Sequence, residues 1–265
     1  MPAGSKHKEF AQKEQMRKIY LVVTFLVLVL IVAAVSYVLV TNPLTPSSSE
    51  NNGDLPSTNV LNAALIDALY STLPDDEFTD SLKETLETAG FEVDVFQGTE
   101  VTVDFLKNVP SGYDLIVLRM HSALHYDDLY LFTGEPYSVN KYTDEQYFRL
   151  VKEAYATDNS DAVFAVNWGF VKRCMAEKFN DTLIVMMGCD GTSDSTLIDE
   201  FLNQDAVGYI SWDGPVSIGH SDSATLQLVK CLYLDELSVR DAIQNTNLQM
   251  GADPEWGSYL EYYIP

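Results

Sequence analysis

The chain has 265 residues, 46% of them apolar and 11% aromatic, which excludes wholesale disorder and leaves room for one sizeable core. It carries 16 Lys and Arg against 39 Asp and Glu, a net charge of −23. So acidic a surface repels nucleic acid and anionic headgroups, so neither is an expected partner; a saline setting and a cationic substrate both fit it.

Five basic residues (Lys6, Lys8, Lys13, Arg17, Lys18) lie in the first eighteen positions, opposed only by Glu9 and Glu14. Without those seven, 11 basic and 37 acidic residues are left, a net of −26. Residues 1–18 thus read as a basic tail. Ile19 to Val40 (IYLVVTFLVLVLIVAAVSYVLV) follows with no charge. At about 1.5 Å per residue such a run spans a hydrocarbon core of roughly 30 Å. It is longer than a signal-peptide apolar region and lacks a small-x-small cleavage site, so it reads as an uncleaved anchor. The basic flank places the N-terminus in the cytoplasm and the rest outside. Residues 41–58, rich in Pro, Ser, Asn and Gly, read as a flexible spacer. Residues 59–265 then form one domain.

That domain alternates apolar runs with amphipathic stretches. VLNAALIDAL (60–69) reads as a strand. PDDEFTDSLKETLETAG (74–90) reads as a helix, with Phe78, Leu82 and Leu86 on one face and Gly90 as its stop. FEVDVFQG (91–98) is a strand, TVDFLKNV (102–109) a short helix and YDLIVLRMHS (113–122) a second buried strand. ALHYDDLYLFTGEPYSVNK (123–141) reads as a loop, a candidate lid or processing site. YTDEQYFRLVKEAYA (142–156) reads as a helix with Thr143 as N-cap and Gln146 closing a capping box. DTLIVMMGC (181–189) is a buried strand, SDSTLIDEFLNQ (193–204) a helix and AVGYISW (206–212) a strand. Residues 221–249 form one or two helices. Strands alternating with helices predict an α/β fold whose mainly parallel sheet is covered on both faces.

In such sheets the functional crevice lies beyond the carboxyl ends of the strands. That rule selects His121-Ser122, Gly188-Cys189-Asp190 and Ser211-Trp212-Asp213. Cys174 and Cys231 sit in helical, inward-facing contexts, and the three cysteines form no disulfide or zinc pattern. Cys189 differs, because the run before it has ended and the backbone is free to turn. A helix starting near Ser193 would aim its N–H groups at this loop and lower the thiol pKa, with Asp190 opposing. A nucleophilic thiol needs a base, and His121 is the best placed of four histidines; His125 is a rival on a loop and His220 a helix cap. Phosphate loops are absent and the histidines lack metal-ligand spacing, so no cofactor or metal is implied.

The order strand–His, strand–Gly-Cys, helix, strand–Ser-Trp and long helix resembles that of the caspase-like cysteine peptidases, which include caspases, gingipains and CHAT domains. IVLRMHS, LIVMMGCDGT, GYISWDGPV, SATLQLVKCLYLDELSVRDAIQNTN and PEWGSYLEYY carry the likeness. The resemblance implies a peptide or protein substrate, Cys189 as nucleophile and His121 as general acid–base. It implies an oxyanion hole of backbone N–H groups from Cys189 and from Ser122, where the family usually has glycine. It also implies that Ser211, Trp212 and Asp213 line the substrate cleft by strand-like pairing. Asp213 would pair with a basic P1 residue unless it is a solvent-exposed turn residue. Arg119, on the same strand face as His121, would attract an acidic P1 or neutralise neighbouring carboxylates. Two rivals accompany the peptidase: a caspase-like binding or sensing module that does not turn over, favoured by Ser122 and Asp190, and a flavodoxin-like ligand-binding ectodomain.

Overall fold

The computed structural model describes residues 60–265; the basic tail, the apolar run at 19–40 and the spacer at 41–58 lie outside the described residues. No helix among the described residues is long and apolar enough to cross a membrane. The domain opens with β1 (Leu61–Asp67), α1 (Asp76–Thr88) and β2 (Phe91–Gln97), then α2 (Val103–Lys107) and β3 (Leu115–Arg119). An excursion follows: β4 (Ser122–His125), β5 (Asp128–Pro136), α3 (Thr143–Tyr147), β6 (Val151–Ala154) and β7 (Val163–Val166). The chain returns through α4 (Trp168–Cys174) to β8 (Leu183–Met186), α5 (Ser195–Leu202) and β9 (Gly208–Trp212). Two long helices, α6 (Ile218–Tyr233) and α7 (Val239–Met250), and the edge strand β10 (Leu260–Tyr263) complete it.

The main sheet has the order β10-β9-β8-β3-β1-β2, with every pairing parallel except that of β10 with β9. Successive side chains of a strand point to opposite faces, and here both faces are dry. Ala64, Ile66, Ile116, Leu118, Ile184 and Met186 face one core, with Val103 and Leu106 of α2, Phe170 of α4 and Leu197 and Phe201 of α5. Ala63, Leu65, Leu115, Val117, Leu183 and Val185 face the other, with Phe78, Leu82 and Leu86 of α1, Leu228 of α6 and Ile243 of α7. Each Leu or Phe so buried contributes about 1.5–3 kcal/mol relative to exposure. The α1 start is set by Asp75, whose carboxylate accepts the Phe78 N–H at 2.8 Å.

Two sequence expectations are corrected. Residues 123–141 are not a loop: β4 and β5 form a hairpin within a second, antiparallel sheet of order β4-β5-β7-β6. Residues 142–156 are not one helix, for α3 covers a single turn and Val151–Ala154 pair with Val163–Val166 instead. Left-handed backbone at Tyr142 (φ 51°) and Arg149 (φ 58°) brackets that turn and stops helix propagation at both ends. Thr143 is not the N-cap: that position is Tyr142, without a side-chain cap, and Gln146 donates to the carbonyls of Ser138 and Lys141.

A buried ion network closes the carboxyl end of the sheet. Arg119, 1% exposed, donates from Nε and Nη2 to Asp222 of α6 at 2.9 and 3.0 Å, and from Nη1 to both oxygens of Asp67 at 3.0 and 3.1 Å. Its guanidinium also lies 5.3 Å from the Phe78 ring centre. The network thereby joins β1, β3, α1 and α6. Removing one partner from a buried ion pair leaves uncompensated charge, at a cost of about 3–5 kcal/mol. Arg119→Met is expected to lower unfolding free energy by about that amount in urea denaturation of a fragment beginning at Ser49; a loss below about 1 kcal/mol would refute this role.

Candidate active site

His121 and Cys189 follow adjacent parallel strands, β3 and β8, and line one cavity of about 340 Å³. Its floor carries Arg119 and Asp222, and its walls include Met187, Val216, Ser221 and Trp256. Of the three described histidines only His121 reaches it. His125 is exposed at the far end of β4, and His220 lies against Trp212 with its Nε2 buried and unpartnered among the described residues.

The two loops that present the pair are locked together. The Ser122 hydroxyl donates to the Cys189 carbonyl at 2.5 Å. Between them lies Gly188, where a Cβ would stand 2.3 Å from Ser122 Oγ and 2.6 Å from the Met120 carbonyl. Only glycine fits so close an approach. Asp190 takes left-handed backbone (φ 56°), its N–H reaching the Gly214 carbonyl at 2.9 Å, so the loop after β8 is also tied to the loop after β9.

Burial, the largest influence, raises the Cys189 thiol pKa; the charges of Asp190 and Asp253 add to the rise, and a backbone bond from Val216 opposes it. The sulfur sits in a backbone clasp, accepting the Val216 N–H at 3.4 Å with the Val216 carbonyl 3.7 Å away. The expected help from a helix N-terminus is absent. Asp194 caps α5, taking the Thr196 and Leu197 N–H groups on one oxygen and the Leu129 N–H on the other. Those donors are satisfied before they reach the thiol. Burial, with the Arg119 charge second, lowers the His121 pKa. Cysteine and histidine are therefore both neutral at pH 7.

The end of β9 and the residue after it depart from expectation. Ser211 and Trp212 are buried and do not line the cavity. Ser211 Oγ donates to the Met186 carbonyl at 2.7 Å, and Trp212 Nε1 donates to Ser221 Oγ at 3.0 Å. Strand alternation in a sheet covered on both faces sends these side chains into the protein. Asp213 is exposed, with its carboxylate accepting the Tyr259 N–H at 2.8 Å. Arg119 borders the cavity, but its donors are engaged by Asp67, Asp222 and the Leu73 carbonyl. Burial raises the Asp67 pKa, and Arg119 pulls against it.

Sequence reasoning missed two contributors. Asp222 lies on the first turns of α6, and no local pattern ties it to Arg119, 103 positions earlier. Trp256 is 57% exposed at the cavity rim, on a loop organised by Asp253. Asp253 accepts the N–H groups of Ser217, Glu255 and Trp256 at 2.8–3.0 Å; burial pushes its pKa up, and these bonds outweigh it. The PEWGSY segment was the one signal of that loop. Among the described residues no group of three or more His, Cys, Asp or Glu side chains is disposed to hold a metal ion.

The chain matches no family model and no curated protein.

The raised thiol pKa sets an expected reactivity. Iodoacetamide should modify Cys189 slowly at pH 7, with a rate that climbs above the ordinary thiol range as the thiolate forms, while Cys231, 0% exposed, stays protected. Site-resolved mass spectrometry across pH 6–10 (~1 unit steps suffice) reads this; rapid Cys189 modification at pH 7 would contradict the neutral-thiol assignment.

Proposed function

We propose that the chain is a membrane-anchored cysteine endopeptidase of caspase-like type, with its domain outside the cell and residues 19–40 in the membrane. The observation that carries the reading is the convergence of His121 and Cys189, from adjacent strand ends, on one cavity. A sheet parallel except for its last strand also agrees with the caspase-like resemblance.

Because both groups rest neutral, the chemistry starts from a thiol–imidazole pair rather than a preformed ion pair. His121 accepts the Sγ proton as sulfur bonds to the scissile carbonyl carbon. The C=O π electrons move to oxygen, giving a tetrahedral oxyanion. Collapse expels the amine, which takes the proton from His121, and leaves a thioester on Cys189. Water, deprotonated by His121, then releases the acid and regenerates the thiol. For the oxyanion, the Ser122 N–H is a candidate donor. The Phe132 N–H bonds to the His121 carbonyl, so 121 and 132 form a hydrogen-bonded pair of the antiparallel ladder. By alternation, the Ser122 N–H faces the outer edge of β4 rather than β5. The Cys189 N–H is the second candidate donor.

At P1 the reading favours Lys or Arg. The lining sets the carboxylates of Asp222 and Glu255 against one guanidinium, that of Arg119, whose three nitrogens already bond Asp222, Asp67 and the Leu73 carbonyl. A second reading keeps the fold and gives the domain a binding role without turnover. It is favoured by the clasp of Val216 on the sulfur.

Fluorogenic peptides varied at P1, offered to the Ser49–Pro265 fragment under reducing conditions, decide between the two. Cleavage after Lys or Arg is expected, lost by at least about a thousandfold in Cys189→Ala and His121→Ala and kept in Cys174→Ala. Since the His121 pKa is lowered, kcat/KM should hold down to the usual histidine range and fall only below about pH 6.5, as the base protonates. No turnover of any peptide, or turnover that survives Cys189→Ala, would sink the peptidase reading.

A further inference from the structure

At the end of β4 away from His121, the second sheet carries a larger depression of about 1090 Å³. Four of the 11 Lys and Arg in residues 60–265 line it: Arg149, Lys152, Lys172 and Arg173. In a chain of net charge −23, carboxylates should dominate any surface, yet this lining contains one, Asp128. Asp128 is itself occupied by the Trp168 Nε1–H at 2.9 Å. Lys172 is paired with Glu200 at 2.7 Å. Among the described residues, Arg149, Lys152 and Arg173 have no carboxylate at ion-pairing distance.

Aromatic rings flank two of these cations, and the backbone of the third is held. Lys152 is half-buried, its ammonium 5.0 Å from the Tyr130 ring centre, and burial lowers its pKa. A desolvated ammonium with no anion beside it is stabilised by a ligand that brings one. Arg173 lies 5.5 Å from the Phe148 ring centre. Arg149 is held in left-handed backbone, at a cost of about 1–2 kcal/mol for a residue with a Cβ, by its N–H on the Gln146 carbonyl and by Asn167 Nδ2 on its own carbonyl.

The shape indicates an extended ligand. His125, Tyr130 and Lys152 also line a shallower depression of about 220 Å³ that continues past Ala154 and Tyr155. The two make one trough, longer than a compact small molecule requires; its second carboxylate, Glu153, accepts the Tyr155 hydroxyl at 2.8 Å. Its lining comes from β4, β5 and β6, so it lies across the face of the second sheet. A long polyanion such as nucleic acid would overrun the trough onto acidic surface, whereas a short acidic segment fits within it.

We infer that this trough is a docking site for an extended acidic polypeptide segment, its carboxylates meeting Arg149, Lys152 and Arg173 and its backbone lying across the face of the second sheet. It is separate from the Cys189 cavity and stands whether or not the domain cleaves peptides.

The test uses the full chain in non-ionic detergent micelles. The probe is a fluorescein-labelled decapeptide alternating Glu and Phe, read by anisotropy at low and high salt. Saturable binding that weakens with salt is expected. It should weaken at least about tenfold in Lys152→Glu/Arg173→Glu and less than about twofold in Lys83→Glu/Lys230→Glu, which makes the same charge change away from the trough. Lys152→Gln, milder to the fold, should weaken it about threefold. Absence of binding, equal loss in both double variants, or tighter binding of a single-stranded DNA decamer at the trough would overturn the inference.

Discussion

Arg119 is the constraint around which the carboxyl end of the main sheet is organised. A guanidinium buried to 1% exposure is tolerated only with its donors satisfied, and the satisfying groups come from the end of β1, the loop after it and the first turns of α6. The bidentate pair with Asp222 fixes the angle at which α6 leaves the sheet, since a planar fork accepts a carboxylate in few orientations. That helix start brings Val216, Ser217 and Ser221 against the loop bearing Cys189. The cavity is thus a product of the ion network below it.

The same arrangement explains the protonation states. Dry walls disfavour the thiolate and the imidazolium alike, and the Arg119 charge acts further on His121. Helix α5 could have compensated at Cys189, but Asp194 takes its first N–H groups and also holds the β4–β5 hairpin through Leu129. A structural cap and an activating dipole compete for the same donors, and here the cap wins. What remains for chemistry is a neutral pair on two strand ends, with Ser122 and Gly188 setting how near the loops approach.

Strands β1, β3, β8 and β9 of the main sheet were readable because each is a short apolar run bounded by polar or glycine residues, and β2 because it alternates; β10, with the sequence LEYY, was not readable as a strand. Phe78, Leu82 and Leu86 are spaced for helix α1 and are buried as that spacing implies. The second sheet was not readable. Val151–Ala154 has no run of its own, and its neighbours at 142–149 carry good helix formers. What makes it a strand is pairing with Val163–Val166, a contact invisible to local periodicity. The 123–141 stretch read as a loop because its turn residues and tyrosines obscure the alternation that β5 supplies against both β4 and β7.

The sequence by itself determined the class of fold, the alternation of strands and helices around the main sheet, and the positions His121 and Cys189 at strand ends. Local rules of apolar spacing and of where runs end are enough for that. Only the tertiary structure decided that Arg119 is neutralised by Asp67 and Asp222, that Ser211 and Trp212 turn inward, and that four scattered cations share one trough. Those outcomes depend on which side chains, tens of positions apart, are driven from water into the same place. Burial and charge pairing are properties of the packed chain, and no window of sequence contains them.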